Sequence, residues 1–405
     1  MTKNWCLMKL GEVCEFQNGF AFKSKLFTDE GLPILRISNI QQDKISHNRL
    51  VFFKKESYDI DFEKYKVQKG ALVIAMSGAT TGKLAVSNVD EIFYLNQRVG
   101  KFEPKENLSK KFLYYFLMNR IEENLKISLG SAQPNLSTEQ IKNFSISVPP
   151  IPEQKRIVKI LDKAFTAINK AKANAEKNLQ NSRELFDSYL NKVFAPSASS
   201  WQRNTGEDWE EKRLGEVLSI ERGGSPRPIK KYLTNSSDGI NWIKISDATA
   251  SEKYIYETKE KITRDGLHKT RVVNEGDFIL SNSMSFGRPY IMKTTGCIHD
   301  GWLVFKQNGK KLFETEFLYY LLSSTYVFQQ FNYLAAGSTV RNLNIALVSS
   351  VRVPIPPLPE QKRIVSKLDV LSTETKRLEK IYQQKLADLE ELKKSILQKA
   401  FDGEL

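Results

Sequence analysis

The segment SGATTGKL (77–84) is the nearest approach in this chain to a phosphate-binding loop. Such a loop needs four residues between its glycines and a Ser or Thr after the lysine to hold magnesium. Here only three residues part Gly78 from Gly82, and Leu84 follows Lys83, so nucleotide binding is not indicated. Metal-dependent cleavage of a phosphodiester needs carboxylates near a lysine. Glu103-Pro104-Lys105 with Asp90 upstream, and Glu257-Thr258-Lys259 with Asp247 upstream, supply the types, but such triplets arise readily where 27% of residues are charged. His47, His268 and His299 lack partner spacing for a metal or a catalytic triad. There is no Asn/Asp-Pro-Pro-Tyr/Phe stretch for amino-group methylation and no Gly-rich strand-to-helix turn for S-adenosylmethionine or a dinucleotide. Cys6, Cys14 and Cys297 are odd in number without Cys-x-x-Cys spacing, which fits small, partly buried side chains in a reducing compartment, with no metal site. The residue types point away from catalysis by this chain.

They point toward binding. A formal charge of +14 and an isoelectric point near 9.4 favour a polyanionic partner, and the surplus is spread through both halves, so a nucleic-acid surface has to be built by folding. Base edges are read by Arg, Lys, Asn, Gln, Ser or His on loops, with further cations on phosphates. In the first half the polar, Gly-containing loops offer Asn18 and Lys23, Arg36 and Asn39, Ser77 and Lys83, and Gln97 and Arg98. In the second half the matching loops offer Arg222, Ser225 and Arg227, Lys244 and Ser246, Asn282 and Arg288, and His299. Asn135 and Asn342 precede helix-like runs that they could cap, and Gln133 and Arg341 beside them are candidates to face phosphate. For any one of these residues a solvated loop position or a turn hydrogen bond is the competing reading, so the loops carry more weight than the individual residues.

The elements that must position them come twice. PPIPEQKRIV (149–158) returns as PPLPEQKRIV (356–365) with nine of ten letters kept. Leu10-Gly11-Glu12-Val13 returns as Leu214-Gly215-Glu216-Val217, KFLYYFL (111–117) as EFLYYLL (316–322), and GSAQPNLS (130–137) as GSTVRNLN (337–344), in the same order. Each repeat opens with short β-branched and aromatic runs between Gly, Asn and Ser turns, which predicts an α+β domain at 1–150 and again at 209–357. Each then changes character at the proline cluster. Pro152 and Pro359, each followed by Glu, mark helix starts, and the stretches 151–194 and 358–405 run on without glycine or proline until near their ends. About 40 residues each, or ~60 Å of helix, are expected.

Apolar residues fall at heptad spacing at Ile157, Leu161, Ala164, Ile168, Ala171, Ala175, Leu185 and Tyr189, with Asn178 and Ser182 as polar interruptions. The second stripe is Ile364, Leu368, Leu371, Leu378, Tyr382, Leu389, Leu392 and Ile396, with Thr375 and Lys385 off pattern. A stripe needs a partner, and its own duplicate, placed antiparallel about an internal pseudo-two-fold, is the economical one. A polar linker lies at 195–208. The N-terminus lacks an apolar signal core and the longest purely apolar runs, such as Ala71 to Met76, are too short to cross a bilayer, so a cytoplasmic protein without membrane contact is expected.

This order, from Trp-x-x-x-x-Leu-Gly-Glu-Val through an Ile-Ser-Asn/Asp strand, a Phe-Leu-Tyr-Tyr helix and Gly-Ser-x-x-x-Asn-Leu to Pro-Pro-Ile/Leu-Pro-Glu-Gln-Lys-Arg-Ile, given twice, resembles the DNA specificity subunit of type I restriction-modification systems. The closing LKKSILQKAFDGEL (392–405) is also similar to that family's end, whereas the first repeat ends differently, in NKVFAPS. The resemblance implies two target recognition domains, each reading one half of a bipartite, asymmetric duplex site, with two antiparallel helices between them. It implies two docked modification (methyltransferase) subunits that carry S-adenosylmethionine, and restriction (translocase/endonuclease) subunits that use ATP and Mg, with no cofactor in this chain. The doubly retained Gln154, Lys155 and Arg156, matched by Gln361, Lys362 and Arg363, are then candidates for the docking surface. A stand-alone DNA-acting nuclease and a protein scaffold without DNA recognition are the competing readings.

Overall fold

The computed structural model describes residues 5–128, 135–194, 209–282, 286–307, 309, 311–335 and 342–405. Two compact units emerge, Met1–Ala175 with Gln384–Leu405, and Glu176–Gln383. The linker 195–208 lies outside the described residues.

In the first unit, strands Cys14–Asn18, Val99–Pro104, Leu72–Ala75 and Leu84–Val86 form an antiparallel sheet in that order. A second sheet orders Val51–Phe53, Leu32–Leu35, Phe93–Leu95 and Lys66–Val67, and its Leu32–Leu35/Phe93–Leu95 pair is parallel. The run Leu72-Val73-Ile74-Ala75 is apolar at every position because both of its faces are covered. Leu72 and Ile74 join a core with Phe112 of helix Lys110–Ser128, whereas Val73 and Ala75 join one with Leu35 and Phe93 of the second sheet.

The second unit repeats the plan. Strands Leu218–Arg222, Trp302–Gln307, Phe278–Ser281, Pro289–Met292 and Tyr254–Ile255 form one sheet, with Leu233–Thr234, Glu260–Ile262, Ile240–Ile243, Gly296–Ile298 and Arg271–Val273 in the other. The parallel pair recurs as Ile240–Ile243 beside Gly296–Ile298. The expected α+β class therefore holds for both domains.

Repeated letters have repeated jobs. In Leu10–Val13, Glu12 Oε2 accepts from Lys9 N at 2.8 Å, and in Leu214–Val217, Glu216 Oε2 accepts from Arg213 N at 3.0 Å. Each turn is tied to the end of its domain, Leu10 N donating to Phe144 O and Leu214 N to Val351 O. The Phe-Leu-Tyr-Tyr helices hold the long helices through Tyr115, which donates to Asp162 at 2.6 Å, and Tyr320, which donates to Asp369 at 2.5 Å. The expected caps move by two residues. Ser137 caps Thr138–Lys142 and Asn344 caps Ile345–Ser349, while Asn135 pairs its backbone across Ser77. Cys14 and Cys297 are buried as expected, but Cys6 is exposed.

The long helices run Ile151–Phe194 and Leu358–Asp402, 44 and 45 residues, with Pro152 and Pro359 in their first turns. They are antiparallel. In the first unit Lys172 meets Glu390 at 2.5 Å and Lys393 lies over the Phe165 ring, and in the second Arg183 meets Glu379 at 3.2 Å. The end of each helix belongs to the domain of the other repeat. Phe401 packs on Phe112 at 5.2 Å between ring centres, and Phe194 on Phe317 at 5.4 Å.

The stripe is partly as read. Ile157, Leu161, Ile168, Ala175, Ile364 and Leu368 are buried. Leu185 and Leu392 are instead exposed, at 50% and 46%, and Phe186, Leu190 and Leu397 take the inward places. Ser182 and Thr375, read as interruptions, lie inside the stripe. Each satisfies its hydroxyl on its own helix, Ser182 donating to Asn178 O and Thr375 to Leu371 O, as serine and threonine commonly do in helices.

Candidate nucleic-acid interface

Five loop segments that lie far apart in sequence come together in each domain, held by matching backbone bonds. In the first unit Gly19 N donates to Val99 O, Phe20 N to Leu95 O, Met76 N to Arg98 O and Leu136 N to Met76 O. In the second, Gly223 N donates to Trp302 O, Gly224 N to Ile298 O, Asn282 N to Gly301 O and Leu343 N to Asn282 O. The parallel strand pair adds the segments at Arg36 and Lys244. The two glycines are needed for this closeness. A Cβ on Gly19 would lie 2.1 Å from Asn96 O, and one on Gly223 would lie 2.1 Å from His299 O. Each domain thus presents a rim of loops on one frame, with different side chains.

On the second rim, Ser225, Arg227, Lys244, Ser246 and His299 line one cavity of about 790 Å³. Trp242, Ile229 and Glu260 are also in its lining, three residues that loop polarity alone could not nominate. Lys244 pairs with Glu260 at 2.8 Å, and Arg222 donates to Asp300 O at 2.9 Å. His299 is turned inward between Trp242 and Trp302, its Nδ1 accepting from Gly301 N at 2.9 Å, and burial lowers its pKa. The Asp300 carboxyl has its pKa lowered below the usual carboxylate range, chiefly because the Ser225 hydroxyl donates to it at 2.6 Å. Arg288 is exposed beside Ser281.

On the first rim, Lys23, Gln97 and Arg98 are exposed. Asn18 donates to Thr138 Oγ1 at 2.6 Å, and Arg36 spends one guanidinium nitrogen on Arg49 O at 2.6 Å. Ser77 turns its hydroxyl into the interior.

Three expected readers are placed otherwise. Asn39 is fully buried, donating to Ser46 O and Asn48 O and accepting from Arg36 N, so it shapes its loop. Asn282 is fully buried with Nδ2 on Asp300 O. Lys83 is half-buried and lines a separate cavity of about 820 Å³ with Asp43, Lys172 and Glu390, which Gln97 and Arg98 do not line. Gln133 and Arg341 lie outside the described residues.

The expected docking residues divide. Gln154 is fully buried, accepting from Ser109 N at 2.7 Å and donating to Asn107 O and Pro149 O at 2.8 Å. Gln361 repeats this with Glu314 N, Leu312 O and Pro356 O. Neither can meet a partner, because every polar atom of the amide is turned into its own domain. Lys155, Arg156, Lys362 and Arg363 stay exposed, with Arg156 chelating Glu153 and Arg363 chelating Glu360 through two bonds each.

The segment that approaches a phosphate loop is a turn, Gly78–Thr80, between strands Leu72–Ala75 and Leu84–Val86, with no helix after it. Asp90 pairs with Lys69 and Glu103 with Lys101, and Asp247 accepts from Lys244 N as the cap of its own turn.

Fold and site define a duplicated two-domain protein with a polar, loop-built rim on each α+β domain. The chain belongs to the type I restriction modification DNA specificity domain family, whose model matches residues 2–177 and 206–388. It is 27% identical to a putative type I restriction enzyme specificity subunit, MjaX, of Methanocaldococcus jannaschii, over all of this chain and 94% of that protein. It is 25% identical to the type I restriction enzyme EcoBI specificity subunit of Escherichia coli, over 99% of this chain and 86% of that one. In fold it is similar to a chain from a type I R-M system, with a TM-score of 0.80 at 20% identity, covering 100% of this chain and 99% of that one.

Proposed function

We propose that the chain is the DNA specificity subunit of a type I restriction-modification complex and that each domain reads one half of a bipartite, asymmetric duplex site. The observation that carries this reading is the doubled rim. Matching backbone bonds hold the same five segments in both domains, while the side chains on them differ, as two unlike half-sites require. The formal charge of +14 supplies the sequence-independent attraction to phosphate.

In this reading the chain is not itself an enzyme. Methyl transfer with S-adenosylmethionine belongs to two modification subunits, and ATP- and Mg-dependent translocation and cleavage to restriction subunits. The modification subunits dock near the two helix starts, where Lys155, Arg156, Lys362 and Arg363 are exposed. Among the described residues no helix is long and apolar enough to cross a membrane, and the reading places the chain with the host DNA in the cytoplasm.

The test is selection of duplexes from a randomised library by the full-length chain, purified from its host with whatever subunits accompany it. Enrichment of one motif of two unlike halves at fixed spacing is expected. Retention of all sequences alike overturns the proposal.

A further inference from the structure

The loop that joins the inner parallel strand to the central antiparallel strand has an equivalent tip in each domain, Asn96-Gln97-Arg98 and His299-Asp300-Gly301. The first residue of each tip is committed to the frame. Asn96 N donates to Leu35 O, and His299 accepts from Gly301 N with its ring against Trp242 and Trp302. The second residue is free to point outward: Gln97 is exposed, and the Asp300 side chain keeps 48% of its surface. Because Gly19 and Gly223 pin these loops against the neighbouring strand end, each tip is held in place before any ligand arrives.

We infer that Gln97 and Asp300 are the specificity-determining residues that make the two rims read different bases, Asp300 acting as one unit with Ser225 and Arg227. The inference rests on the proposed DNA reading.

An aspartate on a surface that meets phosphates is repelled unless it is compensated and has a donor to accept from. Both conditions are met. Ser225 Oγ donates to Asp300 Oδ1 at 2.6 Å, the Arg227 guanidinium lies 3.6 Å from Oδ2, and Arg222 binds the Asp300 carbonyl at 2.9 Å. Arg227 is 82% exposed, so it gains little for the fold and extends the group outward. The ionised carboxylate only accepts, which suits an exocyclic amino group such as cytosine N4, while the neighbouring guanidinium suits a guanine edge. Gln97 both donates and accepts, the pairing an adenine edge takes.

The experiment compares motifs enriched from the randomised duplex library by the wild-type chain and by Gln97→Glu, Asp300→Asn and Arg227→Gln, each checked for an unchanged thermal unfolding midpoint. Gln97→Glu should change base preference by about tenfold or more at one position of one half, and Asp300→Asn and Arg227→Gln should do so at one shared stretch of the other half. Arg227→Gln keeps the test sound if Asp300→Asn fails to fold. A motif unchanged in the folded variants, changes in both halves at once, or an equal loss of affinity for all sequences overturns the inference while leaving the proposed function standing. Failure of the wild-type chain to enrich any motif overturns that function, and the inference with it.

Discussion

Gln154 and Gln361 show at residue scale why a repeated letter is weak evidence of a shared partner. Each amide closes three hydrogen bonds that join a helix start to the loop before the Phe-Leu-Tyr-Tyr helix, and no other side chain of that length offers one acceptor and two donors there. Gln154→Ala would leave a buried N–H and two carbonyls unpaired, so a loss of at least about 2 kcal/mol is expected in urea unfolding, and Gln361→Ala should match it. A loss below about 0.5 kcal/mol in either would show that the pocket adapts.

His299 carries a second residue-scale expectation. Its Nδ1 accepts from Gly301 N and burial lowers its pKa, so the folded chain prefers the neutral ring. The unfolded chain binds the proton first as pH falls, and stability present above the unfolded pKa of about 6.5 is lost as pH drops toward the folded value. Thermal unfolding of wild type should therefore fall between pH 7 and 5 by more than that of His299→Gln. Equal slopes would remove the effect.

At the scale of elements, duplication and helix starts were legible because Pro152-Glu153 and Pro359-Glu360 mark a boundary chemically. The inward face was legible only while its spacing stayed regular. From Ser182, one heptad after Ala175, the stripe continues through Phe186, Leu190 and Phe194 in successive steps of four that carry it past Leu185. A heptad reading, which alternates three and four, takes a step of three after Ser182 and so lands on Leu185. Leu185→Gln should change stability by less than about 0.5 kcal/mol. Phe186→Ala, which uncovers a contact with Tyr320 at 6.1 Å between ring centres, should cost about 1–3 kcal/mol, below the full core value because the ring is only partly buried. Denaturant midpoints of the two variants decide it, and the reverse order would reinstate the heptad. The rims were legible as loops but not as residues. Asn39 and Asn282 carry the right chemistry for reading bases, yet their neighbours' backbone groups claim it, and only coordinates reveal that competition.

For the whole molecule, each domain is completed by the helix end of the other repeat. Leu397, Ala400 and Phe401 close the first core against Phe112 and Phe116, and Leu190 and Phe194 close the second against Phe317. A fragment of residues 1–200 therefore lacks the segment that covers its own core, about 200 residues further along the chain. It also carries that segment's duplicate, since Leu190 and Phe194 stand at the places of Leu397 and Phe401 in the repeat. Two copies of the fragment can each lend the other this end, with the first long helices antiparallel, because the contacts required are those already made in the second unit by closely similar residues. A homodimer by light scattering is expected, and Phe194→Ala should shift it toward an unfolded or aggregated monomer, since a buried Phe→Ala change costs roughly 3–5 kcal/mol. A stable, folded monomer with native-like near-ultraviolet circular dichroism would show that the first domain does not need a borrowed helix end.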